Sequence, residues 1–163
     1  MAPGADEVRW GPSSCSGRVR GTLVAMGTND SAEFAGKGLD GILGLEFTEV
    51  SGDGVRGTLT IGPDHHQPFG IVHGGVYCAV AESAASVSGY CWLQEQGTGG
   101  TAVGANNSTD FLRSVSEGAV NVTTTPIHRG RRQQLWQVDM TDDDGRLLAQ
   151  SRVRLQNIEL PGS

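Results

Sequence analysis

The sequence predicts an α+β domain in which an antiparallel sheet wraps around one long buried helix. Three observations support this fold class: a β-hairpin pattern over 42–61, a long proline-free segment rich in small and apolar residues over 76–93, and four strand-like segments after it. The 163 residues suit a single domain, which we expect over 31–160. Residues 1–30 mix Gly, Ser, Pro and charges without sustained periodicity, and they are predicted to form a flexible arm.

The elements before the long helix are predicted from breaker residues and short apolar runs. Residues 31–35 (SAEFA) suggest a short helix start, ended by the glycines at 36, 38 and 41. Residues 42–50 read as a strand, 51–54 (SGDG) as a tight turn, and 55–61 as the antiparallel partner strand, which together make a hairpin. A loop over 63–75 then holds three of the four histidines.

The predicted long helix is small or apolar on nearly all of its faces, and only Gly89 interrupts it. A helix of that kind is buried, because it has no polar face to offer to water. After the GTGG linker at 97–100, the rest of the chain is predicted to form four strands over 101–112, 119–128, 133–141 and 146–157, with the turn DDDG at 142–145.

Composition and charge exclude several classes of function. Lys and Arg number 12 against 18 Asp and Glu, and this net charge of -6 argues against nucleic acid as a partner, because phosphate binding needs a basic face. The first residues lack the apolar run of a signal peptide, and no stretch approaches the 18 apolar residues that would span a bilayer. We therefore expect a cytoplasmic protein with no membrane partner.

The segment from His65 to Ser86 carries the chemistry. His73-Gly-Gly75 opens the helix, so backbone N–H groups at its positive end are free to receive a developing oxyanion, and the two glycines leave room for a ligand carbonyl. Glu82 lies two turns inside the apolar helix, where a carboxylate is costly unless it is paired, lies at a subunit seam or acts in a site. Ser86 follows at i+4, on the same face, where it could donate a hydrogen bond to Glu82 or to a water. No third ligand has sensible spacing beside the paired histidines at 65 and 66, so no metal is predicted.

This loop, the His-Gly-Gly, the helix and the carboxylate resemble the hotdog-fold acyl-CoA thioesterases of the phenylacetate-degradation type. The resemblance is closest to the branch with Gln before the His-Gly-Gly and Glu in the helix, as in bacterial 4-hydroxybenzoyl-CoA thioesterases. Two later segments match in the same order, 106–113 (NNSTDFLR) and 128–132 (HRGRR), so the likeness covers roughly residues 40–157.

The resemblance implies a role for each matching residue. Glu82 would be the catalytic carboxylate, acting as nucleophile or as general base on water. The Gly74 N–H would polarise the thioester carbonyl, Gln67 would orient substrate or water, and Ser86 would assist hydrolysis. His73 is a further candidate in the catalytic set, and it is either structural, bonding the loop backbone, or directly catalytic.

Contacts with coenzyme A are expected from a second group of residues. Arg129, Arg131 and Arg132 form a dense basic cluster, which is either a solvated turn or a site for the CoA phosphates, since Arg binds phosphate through forked donors. If that segment is extended, Arg129 and Arg131 point to one side and Arg132 to the other. The remaining substrate- or CoA-binding candidates are Gly75, Asn107, Ser108 and Arg113.

The function expected from the resemblance is hydrolysis of an acyl-CoA thioester to free acid and CoA, with no cofactor beyond the CoA of the substrate. A homodimer or homotetramer is implied, with sites built across the subunit seam. The alternatives are a non-catalytic acyl-CoA sensor and a hydratase on the same fold. The acyl group is left open between 4-hydroxybenzoyl, phenylacetyl and medium-chain groups, and four aromatic residues either line an aryl pocket or belong to the core: Phe69, Tyr77, Tyr90 and Trp92.

Overall fold

A computed structural model of the chain describes residues 34, 36–98 and 100–159. The helices and strands within them, in chain order, are α1 (Gly38–Leu43), β1 (Glu46–Ser51), β2 (Gly54–Ile61), a 3-10 turn (Pro63–His65), α2 (Gly74–Glu95), β3 (Thr101–Phe111), β4 (Gly118–Arg129), β5 (Gln133–Thr141) and β6 (Leu147–Ile158). The strands form one six-stranded sheet in the order β1-β2-β4-β5-β6-β3, and every neighbouring pair is antiparallel. The predicted architecture, an antiparallel sheet around one long helix, is confirmed.

Helix α2 is the centre of the core and contacts all six strands. Its buried residues occur on all sides of the helix, as the sequence predicted, and most are small: Val76, Tyr77, Val80, Ala81, Ala84, Ala85, Val87, Ser88, Gly89, Cys91 and Leu93. The buried Ser88 hydroxyl donates to the Ala84 carbonyl at 2.8 Å and lies 2.7 Å from the Thr124 hydroxyl, which accepts from the Val55 N–H. Thus the hydroxyl groups of Ser88 and Thr124 are satisfied within the core.

The hairpin is confirmed, but the elements before it differ from the prediction. The predicted helix start at 31–35 lies outside the described residues except for Phe34, which is helical. Helix α1 comes next among the described residues, and it includes two of the glycines that were predicted to end the first helix, Gly38 and Gly41. Gly44 ends α1 in the left-handed conformation (φ 67°) and donates its N–H back to the carbonyls of Asp40 and Gly41. Strand β1 therefore begins at Glu46, four residues later than predicted. The predicted flexible arm over 1–30 lies outside the described residues.

Strand β3 forms one edge of the sheet and positions the site described below. It pairs with β6 on one side, and no described strand covers its other side. The register shifts between Gly104 and Asn106, which marks a β-bulge, a device that bends a strand and often lies beside active sites. Most side chains of β3 are exposed. In the part of the chain described here, no helix is both long and apolar enough to span a bilayer.

Candidate active site

The start of helix α2 presents a free backbone donor. His73 is the N-cap residue, with extended backbone, and its Nδ1 accepts a hydrogen bond from the Gly75 N–H at 2.8 Å. The Gly74 N–H has no hydrogen-bond partner among the described residues, as expected for the first residue of a helix. No acidic residue in the first turn neutralises the positive helix end. The His73 side chain therefore caps the helix through the Gly75 N–H, and the Gly74 N–H is left without a partner among the described residues.

The loop before the helix holds Gln67 beside Gly74. The Gln67 backbone donates to the Ile71 carbonyl at 2.8 Å and accepts from the Gly70 N–H at 3.0 Å. Its side-chain oxygen accepts from the Phe69 N–H at 2.9 Å. This arrangement fixes the side chain and leaves its amide NH₂ group available to donate to substrate or water.

Gln67 and Gly74 share one cavity of about 360 Å³. Its other lining residues come from the loop, the helix and the end of β3: Ile71, Val72, Tyr77, Phe111, Leu112, Arg113 and Ser114. The Phe111 ring covers Gly74, since a Cβ atom placed there would lie 2.8 Å from the Phe111 Cζ. The cavity thus joins the two groups that the sequence predicts at the thioester carbonyl.

Glu82 lies on the side of α2 that faces β3. The Asn107 side-chain amide donates to the Cys78 carbonyl at 2.9 Å and lies 3.4 Å from Glu82 Oε2. Gly104 packs directly against the carboxylate, and a Cβ atom there would overlap Glu82 Oε1 and lie 2.8 Å from Cδ. Glu82 is only half-buried, because the strand beside it is the edge of the sheet.

Gly74 and Glu82 lie at well-separated positions along one helix. They are eight residues apart on the same helix, which separates their backbones by about 12 Å. A carboxylate and an N–H that flank one carbonyl group each lie about 3 Å from the atom they act on. This distance within one chain is a constraint on any mechanism that uses both residues.

Comparisons with known proteins identify the family of the chain. The family model of the thioesterase superfamily matches residues 69–149. Rv1847 of Mycobacterium tuberculosis is 55% identical over 120 residues, which are 74% of this chain and 86% of that protein. The chain belongs to the thioesterase superfamily. Its fold is the hotdog fold, and its activity is that of a thioester hydrolase, an activity that the names of several relatives print.

Two further relatives of this thioesterase extend the comparison. The 1,4-dihydroxy-2-naphthoyl-CoA hydrolase of Escherichia coli K12 is 38% identical over 114 residues, 69% of this chain and 81% of that enzyme. The crystal structure of thioesterase HI1161 from Haemophilus influenzae superposes with a TM-score of 0.76 at 32% identity, covering 85% of this chain and 94% of that one.

The remaining residues that were predicted for the thioesterase site lie at several separate places in the fold. Ser86 is half-buried one turn beyond Glu82, and within the described part of the chain no hydrogen bond joins the two. Ser108 is exposed on β3. Arg113 lines the cavity of Gln67 and donates to the Leu147 carbonyl at 2.6 Å. His65 and His66 each place Nε2 within hydrogen-bond distance of a backbone carbonyl.

The three arginines of the HRGRR segment do not act as one cluster. Strand β4 ends at Arg129 and β5 begins at Gln133, so the segment is a turn, and the extended backbone on which the predicted alternation depended is not present there. Arg129 donates to the Gly52 carbonyl at 2.7 Å, pairs with Asp53 at 2.9 Å and lies over the ring of Trp92. Arg131 and Arg132 are exposed and line a second cavity of about 840 Å³, which lies at the end of α2 opposite to Gly74.

Two features that hold Glu82 were not predicted from the sequence. Gly104 makes the space for the carboxylate, and an isolated glycine in a strand pattern is a signal for such close approach. The Asn107 amide donates to α2 beside Glu82, and its predicted contact with CoA stays a prediction. Its side-chain oxygen accepts from Thr109, which is itself bonded to Ser151, so the amide is oriented by a chain of hydrogen bonds.

Proposed function

We propose that the protein hydrolyses acyl-CoA thioesters to free acid and CoA, with each site built from two copies of the chain. The observation that carries the proposal is the pair of groups on α2, a free Gly74 N–H at the positive helix end and the Glu82 carboxylate on the edge-strand side. Their separation of about 12 Å favours a site in which Gly74 comes from one subunit and Glu82 from the other.

The proposed chemistry needs no metal or redox cofactor. The thioester carbonyl oxygen accepts a hydrogen bond from the Gly74 N–H, which stabilises the negative charge that develops on it. Glu82 either attacks the carbonyl carbon or removes a proton from an attacking water. If Glu82 attacks, the C–S bond breaks as an acyl–Glu82 anhydride forms, and water then hydrolyses that anhydride to the carboxylic acid and restores the Glu82 carboxylate. If water attacks, its OH is added to the carbonyl carbon, the C–S bond breaks, and Glu82 passes the proton that it took from water to the CoA thiolate. In both routes one water molecule supplies the OH of the acid and the proton of the thiol.

The exposed edge at β3 supports the two-subunit site. An edge strand presents unpaired N–H and C=O groups, and a second copy of the same strand can pair with them. Glu82 and Gly104 lie beside this edge, and Val103 is 41% exposed on the same strand. We infer that pairing at this edge makes a homodimer and brings Glu82 toward the partner's helix start; a dimer of such dimers would give the tetramer.

The acyl group we propose is aromatic. The resemblance to the 4-hydroxybenzoyl-CoA branch favours an aryl group, and the E. coli relative is a 1,4-dihydroxy-2-naphthoyl-CoA hydrolase. The lining of the cavity beside Gly74 includes Ile71, Val72 and Phe111, which suit a flat apolar group. Arg131 and Arg132 are the candidates for the CoA phosphates, since Asp53 already pairs with Arg129.

The first test is thiol release from a panel of aryl-, phenylacetyl- and straight-chain acyl-CoAs. We expect Glu82→Ala to lower turnover by at least about 1000-fold, which corresponds to roughly 4 kcal/mol of barrier. Glu82→Gln should fold and still bind the esters. Glu117→Gln, at an exposed loop position, is the matched control and should keep full turnover. Near-normal turnover in folded Glu82→Ala would refute the mechanism.

A second test asks whether the Gly74 N–H acts as the oxyanion donor. Gly74→Pro removes the N–H at the first helical position, where proline is favoured, and His73 already has the extended backbone that precedes proline. Gly74→Ala keeps the N–H but meets Phe111 in the same way. A loss of about 100-fold or more in Gly74→Pro, beyond that in Gly74→Ala, is expected for an oxyanion donor. Equal losses would exclude this role.

Complementation then decides between one chain and two. Glu82→Ala and Gly74→Pro are unfolded together in equal amounts and refolded, so that half of the dimers are mixed. Each mixed dimer has one intact site if Gly74 and Glu82 act across the seam, which restores about a quarter of the wild-type activity. If both groups acted within one chain, the mixture would stay as inactive as its components.

A further inference from the structure

The hydroxyl of Tyr77 is buried without a hydrogen bond. Tyr77 lies in the first turn of α2 and is 2% exposed. Among the described residues, its hydroxyl is the one buried side-chain nitrogen or oxygen with no hydrogen-bond partner. Other buried polar side chains of this core are paired, such as Ser88 with Thr124 and Gln134 with Trp136. The Tyr77 hydroxyl therefore needs an explanation of its own.

Folding does not supply that explanation. An unpaired buried hydroxyl costs about 1–3 kcal/mol relative to a paired one, and phenylalanine would fill nearly the same volume without this cost. A tyrosine instead of phenylalanine at such a position points to a polar partner that binds there.

The position of Tyr77 indicates which partner this is. Tyr77 lines the cavity that also contains Gln67 and Gly74, the groups proposed at the thioester carbonyl. Its ring stacks on Phe111 at a centroid distance of 6.3 Å. Phe111 is 57% exposed, so its ring can turn outward without leaving a buried position, and this movement would open both Gly74 and Tyr77 to a ligand. Burial raises the pKa of Tyr77, so the hydroxyl keeps its proton and can donate at neutral pH.

We infer that the Tyr77 hydroxyl selects acyl groups that carry a polar substituent, and that a hydroxyl on an aromatic acyl ring is the chemistry it recognises. This inference rests on the proposed function, because it places the acyl group in the cavity beside Gly74. The phenol can donate to and accept from a ring hydroxyl, and its apolar surroundings exclude water as a competitor. A plain hydrocarbon ring would leave the phenol unpaired.

The experiment compares matched thioesters in wild type, Tyr77→Phe and Tyr90→Phe. The panel is benzoyl-CoA, its 4-methyl analogue and its 2-, 3- and 4-hydroxy analogues. Both kcat/KM and the dissociation constant are measured, the latter also in the Glu82→Gln background, where the ester is expected to persist. Tyr90 is the matched control, because it loses the same hydroxyl from the same helix but packs edge-on against Phe34, away from this cavity.

We expect wild type to prefer at least one hydroxy ester over the plain and methyl esters by about tenfold, which is the size of one net hydrogen bond. Tyr77→Phe should bring kcat/KM for the hydroxy esters down to that for the plain ester, whereas Tyr90→Phe should keep the preference. The free energy of unfolding of Tyr77→Phe without ligand should equal or exceed that of wild type, because an unpaired group has been removed.

Three results would overturn the inference. One is the absence of a hydroxy-ester preference in wild type, and another is a preference that survives in Tyr77→Phe. The third is a Tyr77→Phe protein with weakened self-association or a lower melting temperature, which would show that the hydroxyl is bonded to another part of the assembly. Because binding is measured separately, silence of every ester in the turnover assay would refute the proposed function while the affinities still decide the role of Tyr77.

Discussion

The substitution Gly104→Ala should slow catalysis without destabilising the fold. Gly104 lies in edge strand β3, opposite Leu155 of β6, and is exposed. Its φ is not in the left-handed region, so alanine can adopt the same backbone. Alanine has fewer unfolded conformations than glycine, so the free energy of unfolding should stay equal or rise by about 0.4–1 kcal/mol. The new methyl group, however, occupies the space of the Glu82 carboxylate.

The size of the catalytic loss follows from the geometry. The alanine Cβ would lie 2.8 Å from Glu82 Cδ, whereas carbon atoms in contact lie about 3.5–4.0 Å apart. The carboxyl group must therefore retreat by roughly 1 Å, which a flexible Glu side chain does at little cost to folding. A displacement of about 1 Å at a catalytic group costs on the order of 100-fold in rate. We expect Gly104→Ala to be as stable as wild type and about 100-fold slower.

The assay is thiol release alongside chemical unfolding of the same preparations. Gly62→Ala is the matched control, since Gly62 is also extended and a Cβ there would meet no atom within 4 Å. That control should keep its rate. A Gly104→Ala protein with full turnover would refute the reasoning, because it would show that the carboxylate does not act from the position beside β3.

Three further predictions concern residues of helix α2 and its N-cap. His73→Ala removes the side chain that caps Gly75 and should cost about 1 kcal/mol and lower the melting temperature by a few degrees, while His73→Asn should restore it; equal melting temperatures would exclude the capping role. Gly89→Ala should destabilise by about 1–3 kcal/mol in urea unfolding, because its methyl group would collide with Leu155, whereas alanine in an open helix would stabilise. The pKa of Tyr77 is raised by burial above its ordinary value of 10.0, so the unfolded chain loses this proton first as pH rises. The free energy of unfolding of wild type should therefore fall as pH rises above 10, and that of Tyr77→Phe should fall less; identical pH profiles would contradict the raised pKa.

The elements predicted best from the sequence are those in which local and tertiary signals agree. Helix α2 carries small and apolar residues, contains no proline and opens on His-Gly-Gly, and the structure extends it by only two residues at each end of the predicted range. The hairpin turn at 51–54 was equally clear, since Ser51 pairs with Gly54 across it. In both places the residues that make the local structure also bury its apolar side.

The prediction from the sequence was weaker where the structure depends on backbone geometry or on a contact between residues far apart in the chain. The start of β1 depends on the left-handed Gly44, and a glycine in the sequence does not state its φ. The ion pair of Arg129 with Asp53 joins residues 76 positions apart, so a basic run read along the chain gave no sign of it. The same holds for Asn107 and Glu82, which meet because β3 lies beside α2.

The arrangement of the site explains how specificity and catalysis can change independently on this fold. Tyr77 and Glu82 are five residues apart on one helix, which directs them about 140° apart around its axis. One side chain therefore faces the cavity at the helix start, and the other faces the edge strand. We therefore expect a substitution at position 77 to alter what the cavity accepts without moving the carboxylate or the Gly74 N–H. If each site joins Gly74 of one copy to Glu82 of the other, the acyl pocket belongs to the chain that supplies Gly74. In mixed dimers of Glu82→Ala with Gly74→Pro, the acyl preference should therefore follow residue 77 of the Glu82→Ala chain, which keeps Gly74.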